Sequence, residues 1–330
     1  MCIRDSIFML KKIFKNTLII SLSALGIFLL SLLFGARYPM EKSVDEIEAK
    51  YLLSSSSFKN IDGVNIHYTD EGSGPVVLLL HANYANLIDW GPWVQKLMPD
   101  YRVIRLDIPG HGLTEADPSN DYSMPRTLAL IEKLLLHLEI KNLSIAGASL
   151  GGTIGIHFAN QNPEKVDNLI LVSPGALNPR IRGSNQPAHL PKVFNLITQI
   201  TPRSLVKGLL SGGFGDPENI DEELVTRWHE LLLREGQRDA QMARMRQYVS
   251  GNIDQVINQV KSPVLIMWGK ENRVVPVELA YEMENLLINS PAVEMIIYES
   301  GGHQLVQEFG EKTAIDAMEY LVQFKKGAIQ

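Results

Sequence analysis

Three stretches of the chain are apolar without a break, residues 76–80, 169–172 and 264–268, and a fourth, 143–146, is interrupted only by Ser144. A strand with one wet face alternates in polarity, so an unbroken run of this length belongs to a strand covered on both faces, as in a parallel sheet. Helical spacing lies between these runs at 90–97, at 128–138 (with a start near Ser123) and at 150–161, where Pro163 stops it. Residues 65–69 alternate, 103–106 and 295–298 add strands, and 307–324 form the last helix. Strands alternating with helices predict an α/β architecture, a mostly parallel sheet with helices on both faces. Residues 175–259 break the alternation, with several prolines, helical runs such as 222–233 and no strand pattern. They read as a helical cap inserted between two halves of the core, 58–174 and 260–330.

The amino terminus reads as an address. Residues 18–34 (LIISLSALGIFLLSLLF) carry no charge, and Lys11, Lys12 and Lys15 precede them. That length is at the lower limit for spanning a bilayer, and the lysines would stay cytoplasmic, sending the rest of the chain out. Cleavage after Ala36 would place Phe34 three residues before the cut, a poor signal-peptidase site. Residues 1–36 are therefore expected to form an uncleaved anchor, and 37–57 a linker with one short helix. Residues 1–8 (MCIRDSIF) look foreign to this pattern, and Met9 is the expected natural start.

The net charge is −6, and residues 1–36 alone carry +3, so the body carries −9 and no nucleic-acid partner is expected. Cys2 is the only cysteine, which leaves the body without a disulfide, a thiolate metal site or a thiol nucleophile. There is no phosphate loop, no Gly-x-Gly-x-x-Gly after the first strands and no His/Asp/Glu cluster with ligand spacing. No metal, nucleotide or other cofactor is expected.

Gly147-Ala148-Ser149-Leu150-Gly151 carries the chemistry. As a bare pattern it is weak. Its place between a buried strand and a helix gives it meaning, because a tight strand–turn–helix pushes the serine into an exposed, strained position. The following helix points its first amides, including that of Leu150, toward a developing oxyanion. His303 follows the last predicted strand, where loops at the carboxyl ends of the strands meet, and is the expected base. The loop after residues 76–80 supplies a second oxyanion donor, the Asn83 amide, and His81 beside it reads chiefly as a residue that fixes its own loop. The third triad member is harder to place, since the loop after 264–268 reads Gly269-Lys-Glu-Asn-Arg-Val-Val-Pro276.

Taken in order, the His81 loop, Arg105-Leu-Asp-Ile-Pro-Gly-His-Gly-Leu-Thr114, the Ser149 elbow, Trp268–Pro276 and Gly301-Gly-His303 resemble the α/β-hydrolase family over residues 58–326. The likeness is strongest to its cap-bearing bacterial serine hydrolases with an N-terminal membrane anchor. It implies a sheet of about eight strands, a Ser–acid–His triad and a mobile helical lid. With the lysines before residues 18–34 held in the cytoplasm, the catalytic domain is expected outside it, on the bacterial inner membrane facing the periplasm. Two positions depart from the family pattern. Ala82 stands where the family has glycine, and Asn272 stands in the acid slot. Asn272 in a weakened triad ranks first, Glu271 next to it second, and an acid elsewhere third. The strand ending at Ser173 offers no carboxylate, and Asp107 reads as a loop cap.

The expected activity is hydrolysis of an ester or lactone of a small apolar substrate through an acyl-enzyme on Ser149. Trp90, Trp93 and His81 are candidates for the substrate pocket, with Leu190, Phe194, Leu209 and Phe214 of the cap beside them. For both tryptophans, packing between helix and sheet is an equal reading. Hydrolytic carbon–carbon cleavage of the meta-cleavage-product type uses the same Ser and His and is the alternative. A membrane-tethered binding protein with little catalysis is the third reading, motivated by Ala82 and Asn272.

Overall fold

The computed structural model describes residues 3–33, 37–179, 182–187 and 190–324. Cys2 and the cleavage position at Phe34 to Ala36 lie outside them. Helix α1 (Ile3–Leu33) contains the window Phe14–Ser31, long and apolar enough to cross a membrane and with no part of it buried in the protein. The stretch after it is more than a linker. Tyr38 and Lys42 form parallel bridges with Ile200 and Arg234 of the inserted segment. Helix α2 (Val44–Tyr51), capped by Ser43, then buries Ile47 against Leu113 and Leu231.

Eight strands make one sheet: β1 (Ser56–Ile61), β2 (Val64–Gly72), β3 (Val76–Leu80), β4 (Arg102–Leu106), β5 (Leu143–Ala148), β6 (Val166–Val172), β7 (Val264–Gly269) and β8 (Val293–Tyr298), in the order β1-β2-β4-β3-β5-β6-β7-β8. Only β2 runs against its neighbours; from β4 to β8 every pair is parallel. The apolar runs supply the central strands, as the sequence predicts. β1 begins at Ser56, inside the serine-rich stretch read as linker.

Helices cover both faces. α3 (Gly91–Leu97) lies on one face and α4 (Met124–His137) and α5 (Leu150–Gln161) on the other. Ser123 caps α4 as expected, accepting from the Arg126 amide, with Pro125 in the first turn where its missing N–H costs nothing. Between β6 and β7 the described residues form helices α6 (Leu196–Gln199), α7 (Arg203–Gly213), α8 (Glu222–Leu233), α9 (Gln237–Gln247) and α10 (Ile253–Asn258), and no strand. α10 packs Ile253 and Ile257 into the same apolar layer as α4 and α5, so the end of the insertion belongs to the core. α11 (Glu278–Leu286) joins that layer, and α12 (Leu305–Glu308) and α13 (Gly310–Gln323) complete the layer around α3. The last helical stretch, read as one helix, is therefore two, parted at Phe309.

Candidate active site

At the join of β5 and α5, Ser149 has φ 48° and ψ −107°, a left-sided conformation that costs an L-residue energy and survives only where the surroundings enforce it. Its own amide donates to Val172 O (3.0 Å), and Gly175 N donates to Ser149 O (3.2 Å). A Cβ at Gly151 would collide with the Leu80 carbonyl, which is why the turn can pass so close to β3 only with glycine there. Ser149 occupies the N-cap position of α5 yet makes no side-chain capping bond. Its Oγ lies 2.9 Å from His303 Nε2 instead.

His303 is placed by its loop. The Gly302 amide donates to Glu308 Oε1 (3.0 Å) and the Gly215 amide to Glu308 Oε2 (2.7 Å), so one half-buried carboxylate of α12 ties the histidine loop to the inserted segment. Burial pushes Glu308 above its ordinary value. The His303 imidazole is itself buried, and desolvation lowers its pKa to about 4. It is neutral at pH 7, as a base must be.

On the far side of the ring, Asn272 Nδ2 lies 3.2 Å from His303 Nδ1. The amide orientation is fixed by the backbone, since Asn272 Oδ1 accepts from the amides of Val274 (3.0 Å) and Val275 (2.9 Å). Turning it over would set the NH₂ against two N–H donors. Nδ2 therefore donates to Nδ1, and the neutral imidazole keeps its proton on Nε2, the nitrogen facing Ser149. The Glu271 side chain is exposed and makes no hydrogen bond among the described residues. Only its backbone takes part, donating to Gly301 O (2.9 Å). The alternative in which Glu271 replaces the acid is corrected, and the first-ranked Asn272 is the residue beside the ring: the loop places position 272 inside and 271 outside.

A cavity of about 270 Å³ opens over Ser149 and His303. Leu150 and Asn83 both line it, and among the described residues neither backbone amide has an acceptor. The Asn83 side chain is held apart from its amide's task, its Oδ1 3.0 Å from His111 Nε2. Leu190, Met245, Val274 and Val275 make the walls largely apolar.

Trp90, Trp93 and His81 are not on this cavity, which corrects the pocket assignment. Both tryptophans are buried edge to face between α3 and the sheet, and Trp93 Nε1 donates to Thr313 Oγ1 of α13 (2.9 Å). Helical spacing identified a buried face without saying which buried space it met. Phe214 is likewise core, whereas Leu190 does reach the cavity. His81 ties loops together: its Nδ1 donates to Ala82 O (2.7 Å) and its Nε2 accepts from Ile108 N (2.9 Å). Burial lowers its pKa, consistent with that neutral tautomer.

A full Ser–His–Asp relay exists elsewhere. Ser56 Oγ lies 2.7 Å from His67 Nε2, and His67 Nδ1 lies 2.7 Å from Asp107 Oδ2. Asp107 also accepts from the amides of Leu87 and Leu113 (both 2.8 Å). Burial would raise its pKa, but the hydrogen bond and charge of His67 and the Leu113 amide hold it below the ordinary value. These bonds brace the loop after β4, as the loop-cap reading expects. Among the described residues no group of His, Cys, Asp and Glu has the geometry to hold a metal ion.

Sequence reasoning missed Glu308, Arg244 and Tyr248, the last two on the cavity wall. No local pattern marks them, because all three lie in ordinary helical stretches.

The profile of the alpha/beta hydrolase fold family matches residues 75–308. The 2-hydroxy-6-oxo-6-(2'-aminophenyl)hexa-2,4-dienoic acid hydrolase of Metapseudomonas resinovorans is 29% identical over 260 residues, covering 76% of this chain and 85% of that protein. Among solved structures, a putative lipase from Acinetobacter baumannii superposes with a TM-score of 0.70 at 23% identity, over 86% of this chain and 95% of that one. A membrane phospholipase A described as a bacterial virulence factor superposes at 0.67 with 20% identity, over 96% and 99% of the two chains.

Proposed function

Because the chain belongs to the α/β-hydrolase fold family, whose profile spans most of it, we propose that it is a serine hydrolase cleaving an ester or lactone of a small, largely apolar substrate. The observation that carries this reading is the 2.9 Å approach of Ser149 Oγ to His303 Nε2 beneath an apolar cavity also lined by Leu150 and Asn83, whose amides have no acceptor among the described residues. Ser149 attacks the carbonyl, and His303 takes its proton and returns it to the leaving group. The amides of Leu150 and Asn83 hold the oxyanion, and water then resolves the acyl-enzyme. Asn272 slows the first step, since Nε2 is bare only after the proton moves to Nδ1, where an amide N–H faces it.

The 2-hydroxy-6-oxo relative supports a second reading, hydrolytic carbon–carbon cleavage, which would use the same serine and histidine. The apolar helix at the amino terminus, with lysines before its uncharged stretch, supports a membrane-anchored enzyme with its body outside the cytoplasm. The cap at 175–259 serves as the lid in this reading, except for α10, whose Ile253 and Ile257 pack into the core.

A fluorophosphonate probe followed by peptide mapping tests the nucleophile. Labelling at Ser149 that disappears in Ser149→Ala is expected, and a folded wild-type protein that stays unlabelled would sink the proposal. A panel of esters of graded acyl length against a dienoate carbon–carbon substrate separates the two reactions.

A further inference from the structure

Arg244 of α9 lines the cavity, only 6% of its surface is exposed, and no ion pair to it forms among the described residues. Its neighbours behave differently. Arg227 pairs with Asp89 (2.7 Å), Arg234 with Glu48 (3.9 Å) and Arg238 with Glu41 (4.0 Å). Arg244 meets only neutral acceptors: Nη1 donates to Tyr122 O (3.3 Å) and Thr127 Oγ1 (3.1 Å), and Nη2 to Pro109 O (2.9 Å). Its Nε is buried and has no partner among the described residues. One turn on, Tyr248 caps α9, lines the same cavity and leaves its buried hydroxyl without a partner.

Both groups are donors at neutral pH. Burial lowers the guanidinium to about 10 and raises the phenol to about 12, so one is charged and the other protonated. The positive charge is felt nearby: after burial and His81, it is a further cause holding His111 well below its ordinary value. The carbonyl end of α9 and the Tyr122 ring, 5.5 Å away, compensate part of the charge. Neither supplies a full negative charge, and a buried guanidinium is normally paired with one.

We propose that Arg244 and Tyr248 form a carboxylate-recognition pair, so that the substrate cleaved at Ser149 carries a carboxylate away from its scissile carbonyl. The pair offers two free donors, matching the two oxygens of a carboxylate better than the three of a phosphate. Leu190, Met245, Val274 and Val275, which line the same cavity, then receive a short hydrocarbon spacer. This deepens the hydrolase reading above and rests on it.

The test uses the full chain in detergent, with Ser149→Ala to prevent turnover, and measures binding of monomethyl adipate against dimethyl adipate by calorimetry. The half-ester is expected to bind about tenfold tighter or more, the usual scale of a charge-assisted hydrogen bond. Arg244→Gln should bring the two ligands level, and Tyr248→Phe should cut the preference by about threefold. Equal binding to Ser149→Ala, no binding of either ligand, or a preference that survives Arg244→Gln would overturn the proposal. If Arg244→Gln does not fold, the preference in Tyr248→Phe decides: unchanged, it also overturns the pair. Tighter binding of monobutyl phosphate than of the half-ester would overturn the carboxylate assignment. Turnover by the wild type is a separate readout, so a carboxylate preference without hydrolysis counts against the hydrolase reading and leaves the pair standing.

Discussion

Asn272 turns its NH₂, not its carbonyl, toward His303, with Nδ2 3.2 Å from Nδ1. The two backbone amides on Oδ1 hold it there, each bond contributing about 0.5–1.5 kcal/mol. Hydrolysis therefore begins from the tautomer that cannot take a proton from Ser149. Asn272→Asp should change this with little movement, because one carboxylate oxygen can keep both backbone bonds while the other accepts from Nδ1–H. A rise in ester kcat of about 10²–10⁴ is expected, the upper value being the cost of the reverse change in a serine protease. The acid limb of the rate profile should move too. It is expected near pH 4 in the wild type, where burial places His303, and the new carboxylate should stabilise the imidazolium and move it upward. A variant with unchanged kcat and an unchanged limb would show that position 272 does not act on the imidazole.

Glu271→Gln should leave kcat/KM within about twofold, because that side chain is exposed and away from the ring. Steady-state kinetics on one ester checks this. A loss of a hundredfold would mean that the loop shifts by one residue in the working enzyme and that Glu271 supplies the charge.

Burial of His303 also links stability to pH. Its pKa falls from the model-peptide value of about 6.5 when unfolded to about 4 when folded, so between these values the unfolded chain binds the extra proton. Stability contributed by the neutral ring is present above about pH 6.5 and is lost as pH falls toward 4. The scale is at most about 3 kcal/mol, and urea midpoints at pH 7 and pH 5 measure it. His303→Gln should reduce the difference between the two midpoints. An equal difference in both proteins would assign the pH dependence to other groups such as His81 and His111, whose pKa values burial also lowers.

Much of the sheet and the Ser149–His303 contact could be read from the chain, because both follow from strong local patterns. The apolar runs within β3, β6 and β7 mark covered strands, and the glycines around Ser149 fit a tight turn. What escaped was decided by distant partners. The start of β1, Ser56 and Ser57, looks like linker until Thr69 and Tyr68 of β2 pair with it. Trp90 and Trp93 carry no sign of whether their buried face meets substrate or α13. Nothing near Arg244 in sequence reveals that no carboxylate among the described residues reaches it, since its neighbours Arg238 and Arg234 look the same and are paired.

Trp93 gives a direct check on that correction. Trp93→Phe removes the bond to Thr313 Oγ1 and part of the packing between α3 and α13. A loss of about 1–3 kcal/mol is expected in urea unfolding, with the order of preference across graded esters unchanged. A changed preference at unchanged stability would return Trp93 to the pocket.

The segment between α1 and β1 should count as part of the fold. Four backbone bonds join it to the inserted helices: Tyr38 N to Gln199 O (2.6 Å), Thr201 N to Tyr38 O (2.9 Å), Lys42 N to Leu233 O (2.9 Å) and Glu235 N to Lys42 O (3.0 Å). Ile47 adds a fully buried side chain, and Tyr51 and Lys50 both reach Glu230 (2.5 and 2.6 Å). A chain beginning at residue 37 keeps all of these and should match the stability of the full protein. A chain beginning at residue 52 loses them, at a cost of about 4–9 kcal/mol from the backbone bonds and the one apolar side chain. Because the lost bonds lie on the insertion, ester turnover by the shorter chain should fall at temperatures below its unfolding midpoint. Equal urea midpoints for the two chains would show that residues 37–51 only span a distance.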